Sequence, residues 1–473
     1  MSSSVPASTD APADAPADAP PAAVSVPAAV PVSASVPAPA PAPGPGPTSP
    51  STPPPSPAGV VDLLREAAQA GPLTALRVGE RPFVLATGPD QTQEILAKRP
   101  EVYVKHGHRA RPLLGDGLIS ASGDAWKRQR KLLQAQFTVT GTRRWAHHIT
   151  AAAERIAARW ETAAGADGQV DVGRDMRFFA LDTIWRTLTG TALDEATERE
   201  LEAVDTVVAS LPTLAGARPD PALAVDEALA QIDTTAHRVI GLARARRADA
   251  RPDGPPHLLD LLLDTAETRP EYTDGLIRDE LVTLLVAGHE TTAQTLCWLF
   301  VLLDRHPDVH DRFLAAYEAA DGPAARDALL GALVQETLRL YPAVWLVPRH
   351  AARDDILDGL PIAAGTSVLA CPYLTHRIPE LWPDPERFDP ARFLPGGHRP
   401  HHPAAFQPFG VGARACLGQH FALQEMLTLL RLLLPAHRPR LTTPPRGAVF
   451  GANLRPDGPV RGTLGAARAQ LRA

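Results

Sequence analysis

The sequence predicts a mainly α fold with a small β region. An apolar stretch runs from a capping pair, Thr273-Asp274, to Pro307, about 33 residues or roughly 50 Å of helix. A second helical pattern, Leu330, Val334, Leu338 and Tyr341, stops at Pro342, and a third, Leu417, Phe421, Leu427 and Leu430, follows Cys416. The run Thr366–Cys371 reads instead as a strand.

The chain divides by composition. Residues 1–57 are almost entirely Ala, Pro, Ser, Val, Gly and Thr, and hold 18 of the 50 prolines and no aromatic side chain. Asp10, Asp14 and Asp18 are their only charged residues. Too little apolar surface is available there to offset chain entropy, so this tail is expected to be disordered and partly polyproline II. It has no basic start and apolar run of a secretory signal, and no window long enough for a membrane anchor. It is read as a passive tail, with a partner-binding tether as the alternative. Residues 58–473 form the expected globular body, long enough for a large core. A net charge of -6 argues against a general nucleic-acid binder. Three cysteines, Cys297, Cys371 and Cys416, are too few for a disulfide framework and fit a reducing cytoplasm. Cys297 and Cys371 sit in apolar runs and are read as inert core residues.

Each chemistry-bearing segment is taken in chain order. Trp126-Lys-Arg-Gln-Arg130 puts an indole and a guanidinium four apart on one helix face, with Lys127 and Arg128 facing solvent. The middle of the long helix reads Ala287-Gly-His-Glu-Thr-Thr292, an acid and two hydroxyls that are costly in an apolar helix unless used. Taken alone, Thr291 is read as back-bonding to a helix carbonyl. A zinc-protease His-Glu-x-x-His is excluded because residue 293 is Ala, leaving one ligand in the helix. Glu336-Thr-Leu-Arg339 sets an ion pair three apart on a helix bordering the core. His398, His401 and His402 cluster in a Pro/Gly-rich loop without a Cys or carboxylate at ligand spacing, so no metal site is expected there. Finally, Phe409-Gly-Val-Gly-Ala-Arg-Ala-Cys-Leu-Gly418 places Cys416 between a glycine-rich loop and a helix start, where the helix dipole favours a thiolate. A single thiolate suits the axial position of a haem iron.

These segments, in this order, resemble the cytochrome P450 family over about residues 58–473. The Cys loop is similar to its haem-binding loop, Phe-x-x-Gly-x-Arg-x-Cys-x-Gly, and the resemblance implies haem b (iron protoporphyrin IX) held by Cys416 as the metal ligand, with Phe409, Gly410, Arg414 and Gly418 around it. The Trp-x-x-x-Arg segment implies propionate contacts at Trp126 and Arg130, with Arg349, Arg414 and Lys105 as further donors. The Ala-Gly-x-Glu-Thr-Thr segment implies that Glu290 and Thr291 handle protons for dioxygen, while Gly288 leaves it room. Glu336 and Arg339 imply a structural triad whose third member is Arg392 from Pro390-Ala-Arg-Phe393, with Arg387 of Pro385-Glu-Arg-Phe388 as the other candidate. The fold implied is mainly α with a small β region near the N-terminal side of the body and after Pro342.

The activity implied is a monooxygenase that inserts one atom of O2 into a hydrophobic small molecule. Its pocket is expected to draw on the loop His106–Leu118, on Val286, Ala287 and Glu290, on Val344, Trp345 and Leu346, and on a late turn near Phe450. The segment Gly216–Pro221 is expected to be a loop near the substrate lid. Motif likeness leans to fatty-acid and terpene-oxidising branches, and the Pro/Ala bias fits an actinomycete and a natural-product pathway. Electrons, ultimately from NAD(P)H, are expected through a separate ferredoxin or flavodoxin plus reductase, to a monomeric cytoplasmic enzyme. Rival readings are a peroxide-driven peroxygenase of the same fold and a non-catalytic haem-binding sensor or scaffold. Intact Glu290 and Thr291 argue against the first.

Overall fold

The computed structural model describes residues 57–78, 81–108, 110–211, 224–249 and 256–464. The expected tail, except Pro57, and the Gly216–Pro221 segment lie outside the described residues. Helices dominate. The central one, Asp274–Arg305, has 32 residues. Its Thr273 cap accepts the Leu276 amide, and Pro307 begins the next helix, Pro307–Ala319, at a position where no amide is needed. Leu281–Leu285 and Thr295–Leu303 are buried, as expected of a helix that is apolar all round and crosses a domain. Between them the pattern breaks: Val286, Gly288, Glu290 and Thr291 are half-buried and Ala287 is exposed. This stretch of the helix is therefore more accessible than its buried flanks.

The helix Val172–Thr189 packs along the central helix. A Cβ on Gly288 would lie 2.7 Å from Ile184 Cγ1, so the glycine sets how closely the two helices approach. Gly288 thus serves helix packing, its missing side chain being directed at Ile184. The helix carrying Cys416 at its start, Gln419–Leu433, is tied to the central helix where Thr292 Oγ1 donates to Glu425 Oε1 over 2.6 Å. Glu425 is wholly buried, and that burial pushes its carboxyl well above the usual range.

The strands gather mainly in one five-stranded sheet, in the order Leu73–Val78, Arg81–Ala86, Ser367–Ala370, Val347–Ala351, Tyr103–Val104. Only Arg81–Ala86 and Ser367–Ala370 run parallel within it. The sheet is built from the N-terminal side of the body and from residues after Pro342. Pairing of Val104 with His350 brings Lys105 and Arg349, distant in sequence, to one edge. The described residues form one large apolar core among the helices and two smaller ones against the sheet.

Candidate active site around Cys416

The Cys416 loop is shaped by its own backbone. Gly410 and Gly412 have φ of 71° and 78°, a region that favours glycine. A Cβ on Gly412 would lie 2.4 Å from the Leu96 carbonyl oxygen, so the loop presses on the turn Glu94–Lys98. The Cys416 amide donates to the Phe409 carbonyl over 2.7 Å, which closes the loop and leaves the Cys416 side chain exposed. Phe409 packs partly buried against the main core, and a Cβ on Gly418 would meet no protein atom. Desolvation by the enclosing loop pushes the thiol pKa up, and the Gly418 backbone and Arg130 pull it down less strongly.

Four cations surround this loop. Arg130 Nη1 donates to the Ala415 carbonyl over 2.8 Å, one residue from the thiol. Arg414 lies over the Trp126 ring at 4.3 Å and donates to the Ala121 carbonyl. Burial and the neighbouring Arg349 and Arg414 bring Lys105 down to about 8, and burial beside Arg414 brings Arg349 down to about 10. None of the four makes an ion pair with a carboxylate among the described residues. Partly buried cations that repel one another and lack an anion are suited to a cofactor carrying two carboxylates, as haem does. Trp126 holds Arg414 through its ring face, and Lys127 and Arg128 point outward.

On the central helix, the Thr291 hydroxyl donates to the Ala287 carbonyl over 3.2 Å, leaving its lone pairs toward the open stretch. Burial, outweighing the nearby His289 and Arg177, raises the Glu290 carboxyl above its usual range. Of the expected pocket residues, Val344 is 40% exposed and Leu346 is half-buried. Trp345 is a correction. Its indole is 5% exposed, packs against Phe450 and donates to the Gly451 carbonyl, so it belongs to the core behind the pocket. A large aromatic with one polar atom finds both its burial and its partner there.

Glu336 and Arg339 are wholly buried and joined twice, Nε to Oε2 at 2.7 Å and Nη2 to Oε1 at 2.9 Å. Arg392 Nε lies 3.5 Å from Glu336 Oε1, whereas Arg387 has an exposed side chain and offers only its carbonyl, to Arg339. The two candidates are thereby separated in favour of Arg392.

The cytochrome P450 family model matches residues 58–445. The chain belongs to the cytochrome P450 family. It is 32% identical over 387 residues to pentalenene oxygenase of Streptomyces avermitilis, covering 78% of this chain and 84% of that protein. It is also 32% identical to cyclooctat-9-en-7-ol 5-monooxygenase of Streptomyces melanosporofaciens, covering 78% and 83%. The crystal structure of the cytochrome P450DA heme domain superposes with a TM-score of 0.73 at 26% identity, covering 87% of this chain and 94% of that one. This P450 is a monooxygenase, and its family implies a haem-thiolate centre, O2, redox partners and hydrophobic substrates. No helix among the described residues is long and apolar enough to cross a membrane.

Sequence reasoning missed two parts of the P450 site. Arg278, Asp279 and Glu280 clamp the loop Leu113–Leu118: Arg278 Nη1 donates to the Leu113 carbonyl, and Asp279 and Glu280 accept the Asp116 and Leu118 amides. Gly115 and Gly117 are needed there, since a Cβ on either would meet Asp279 or Thr283 at 2.1 to 2.2 Å. The available signal was a charged triplet entering an otherwise apolar helix. Also missed was the surrounding of His289, which meets Asp205 from another helix.

Proposed function

We propose that this P450 holds haem b through Cys416, with its carboxylates met by Lys105, Arg130, Arg349 and Arg414, and oxidises a terpenoid or similar apolar natural-product intermediate. When bound, the haem would supply the reductive activation of O2. Arg130, hydrogen-bonded to Ala415, fixes the loop that presents the thiolate. Phe409 and Gly410 hold the loop turn, and Gly418 leaves space at the helix start. Glu290, whose carboxyl burial raises above its usual range, relays protons, and Thr291 passes them onward with its free lone pairs while the apolar flanks of the helix limit water. Val286, Ala287, Val344 and Leu346 present apolar surface to the substrate. Both streptomycete relatives carry names of terpenoid oxygenation, which supports the substrate class. Electrons are taken to come from NAD(P)H through a separate ferredoxin or flavodoxin and its reductase. The working unit is read as a cytoplasmic monomer, with residues 58–473 as its haem domain.

The observation that carries this reading is the pairing of an accessible Cys416 with four cations that have no carboxylate partner. The test is the absorption spectrum of the reduced, carbon-monoxide-bound protein. Wild type is expected to give a red-shifted Soret band, and Cys416→Ala to lose it. A normal spectrum in the variant would move the ligand elsewhere.

A further inference from the structure

Beside the oxygen-activating stretch, three side chains from two helices converge on one point. His289 and Glu290 come from the central helix and Asp205 from the helix Glu195–Ser210, and one ligand atom from each lies within 4.8 Å of the other two. His289 is 1% exposed, and its Nδ1 lies 2.7 Å from the Leu285 carbonyl. A carbonyl only accepts, so Nδ1 carries the hydrogen, and in neutral imidazole Nε2 holds the lone pair. That nitrogen points at Asp205 Oδ1 across 3.6 Å and has no hydrogen-bond partner among the described residues. A buried lone pair facing a carboxylate, with a second carboxylate alongside, is a poor arrangement unless a proton or a metal cation lies between them.

The separation has its own meaning. Two donors bound to one Zn2+ at about 2.0–2.1 Å with tetrahedral angles stand roughly 3.3 Å apart. At 3.6 Å the nitrogen and oxygen are too far apart for a good hydrogen bond and near the edge length of such a site. The Nδ1–H bond to a backbone carbonyl is the support that metal-bound histidines usually have. Arg177 Nη2, from the helix Val172–Thr189, lies 2.6 Å from the other Asp205 oxygen, Oδ2, and so orients the carboxylate with Oδ1 turned inward. Its positive charge also lowers affinity for a cation.

We propose that Asp205, His289 and Glu290 form a binding site for a divalent cation of the Zn2+ type, with water as the fourth ligand. Within the helix, Ala293 breaks the zinc-protease spacing; the fold supplies the missing donor from another helix. If Glu290 serves as the proposed function holds, a bound cation takes its carboxylate out of proton handling and acts as a brake on turnover, a consequence that rests on that reading while the site itself does not.

The test is equilibrium dialysis of the haem-loaded full chain against ZnCl2, with zinc and iron measured per chain. One tight site is expected in wild type, weakened at least tenfold in Asp205→Asn and in His289→Gln with the carbon-monoxide spectrum intact. Absence of a tight site in wild type overturns the proposal. So does a site retained in both variants, which would place the zinc elsewhere, for example on His398, His401 and His402. If either variant fails to fold, the other, together with Glu290→Gln, decides the question. Zinc bound at this site with product coupling unchanged supports the site and counts against the role of Glu290. Failure to form a thiolate-haem spectrum counts against the proposed function, while the zinc isotherm still reads the site.

Discussion

Glu280 shows how a single residue's environment becomes a measurable property. It is wholly buried, accepts the Leu118 amide through Oε2, and burial pushes its carboxyl up to about 7 from an ordinary 4.5. A carboxyl whose folded pKa lies above its unfolded one contributes stability below the unfolded value and loses it as pH rises through the folded one. Between about pH 4.5 and 7.5 the wild type should therefore lose on the order of 3 kcal/mol from this group. Glu280→Gln keeps an acceptor for Leu118 and should flatten that part of the curve, gaining relative stability at pH 8. Urea melts at pH 5 and pH 8 check this, and parallel losses in both proteins would remove Glu280 as the cause. Thr291 belongs to the same scale. Its hydroxyl is committed as a donor to Ala287 but free as an acceptor. Thr291→Ala should divert reducing equivalents from product to peroxide or water, read as product formed per NAD(P)H consumed, with the carbon-monoxide spectrum unchanged. Equal coupling in both proteins would leave Thr291 a structural residue.

Between elements, the contact of the central helix with Val172–Thr189 is the most sensitive point. Gly288→Ala drives a Cβ toward Ile184, whose Cγ1 and Cδ1 stand 2.7 and 3.0 Å away. Overpacking of this kind costs about 1–3 kcal/mol. Ile184→Val removes Cδ1 and should recover part of the loss, because the two changes share one space. A double-mutant cycle by chemical denaturation measures the coupling, and additive effects would show that the helices separate freely. The Glu336 pair acts between elements as well. Arg339 also donates to the His376, Pro385 and Arg387 carbonyls, so it fastens its helix to the chain on the approach to the Cys416 loop. Removing one partner of such a buried pair costs more than the pair contributes, since the other charge is stranded.

At the scale of the whole molecule, the site is assembled from distant parts of the chain. The sheet brings Lys105 to Arg349, the Trp126 ring receives Arg414, and the Cys416 helix is tied to the central helix through Thr292 and the buried Glu425. All these contacts fall within the body predicted from residue 58 onward. Deleting residues 1–55 is expected to leave the carbon-monoxide spectrum and the unfolding midpoint unchanged. Loss of haem from the truncated protein would make the tail part of the folded unit.

The local features were legible in the sequence because short-range rules govern them. The Thr273 cap and Pro307 bound the central helix, the glycine spacing marks the Cys416 loop, and the Glu336–Arg339 spacing sets an ion pair on one helix face. Their order along the chain was enough to indicate the family. What tertiary structure decided was every partner from elsewhere in the chain. It chose Arg392 over Arg387, turned Trp345 into the core, set Gly288 against Ile184, clamped the Leu113–Leu118 loop with Arg278, Asp279 and Glu280, and brought Asp205 to His289. The periodicity of a helix says which residues share a face. What that face meets depends on helix crossings and strand pairings, which are fixed only when the whole core packs.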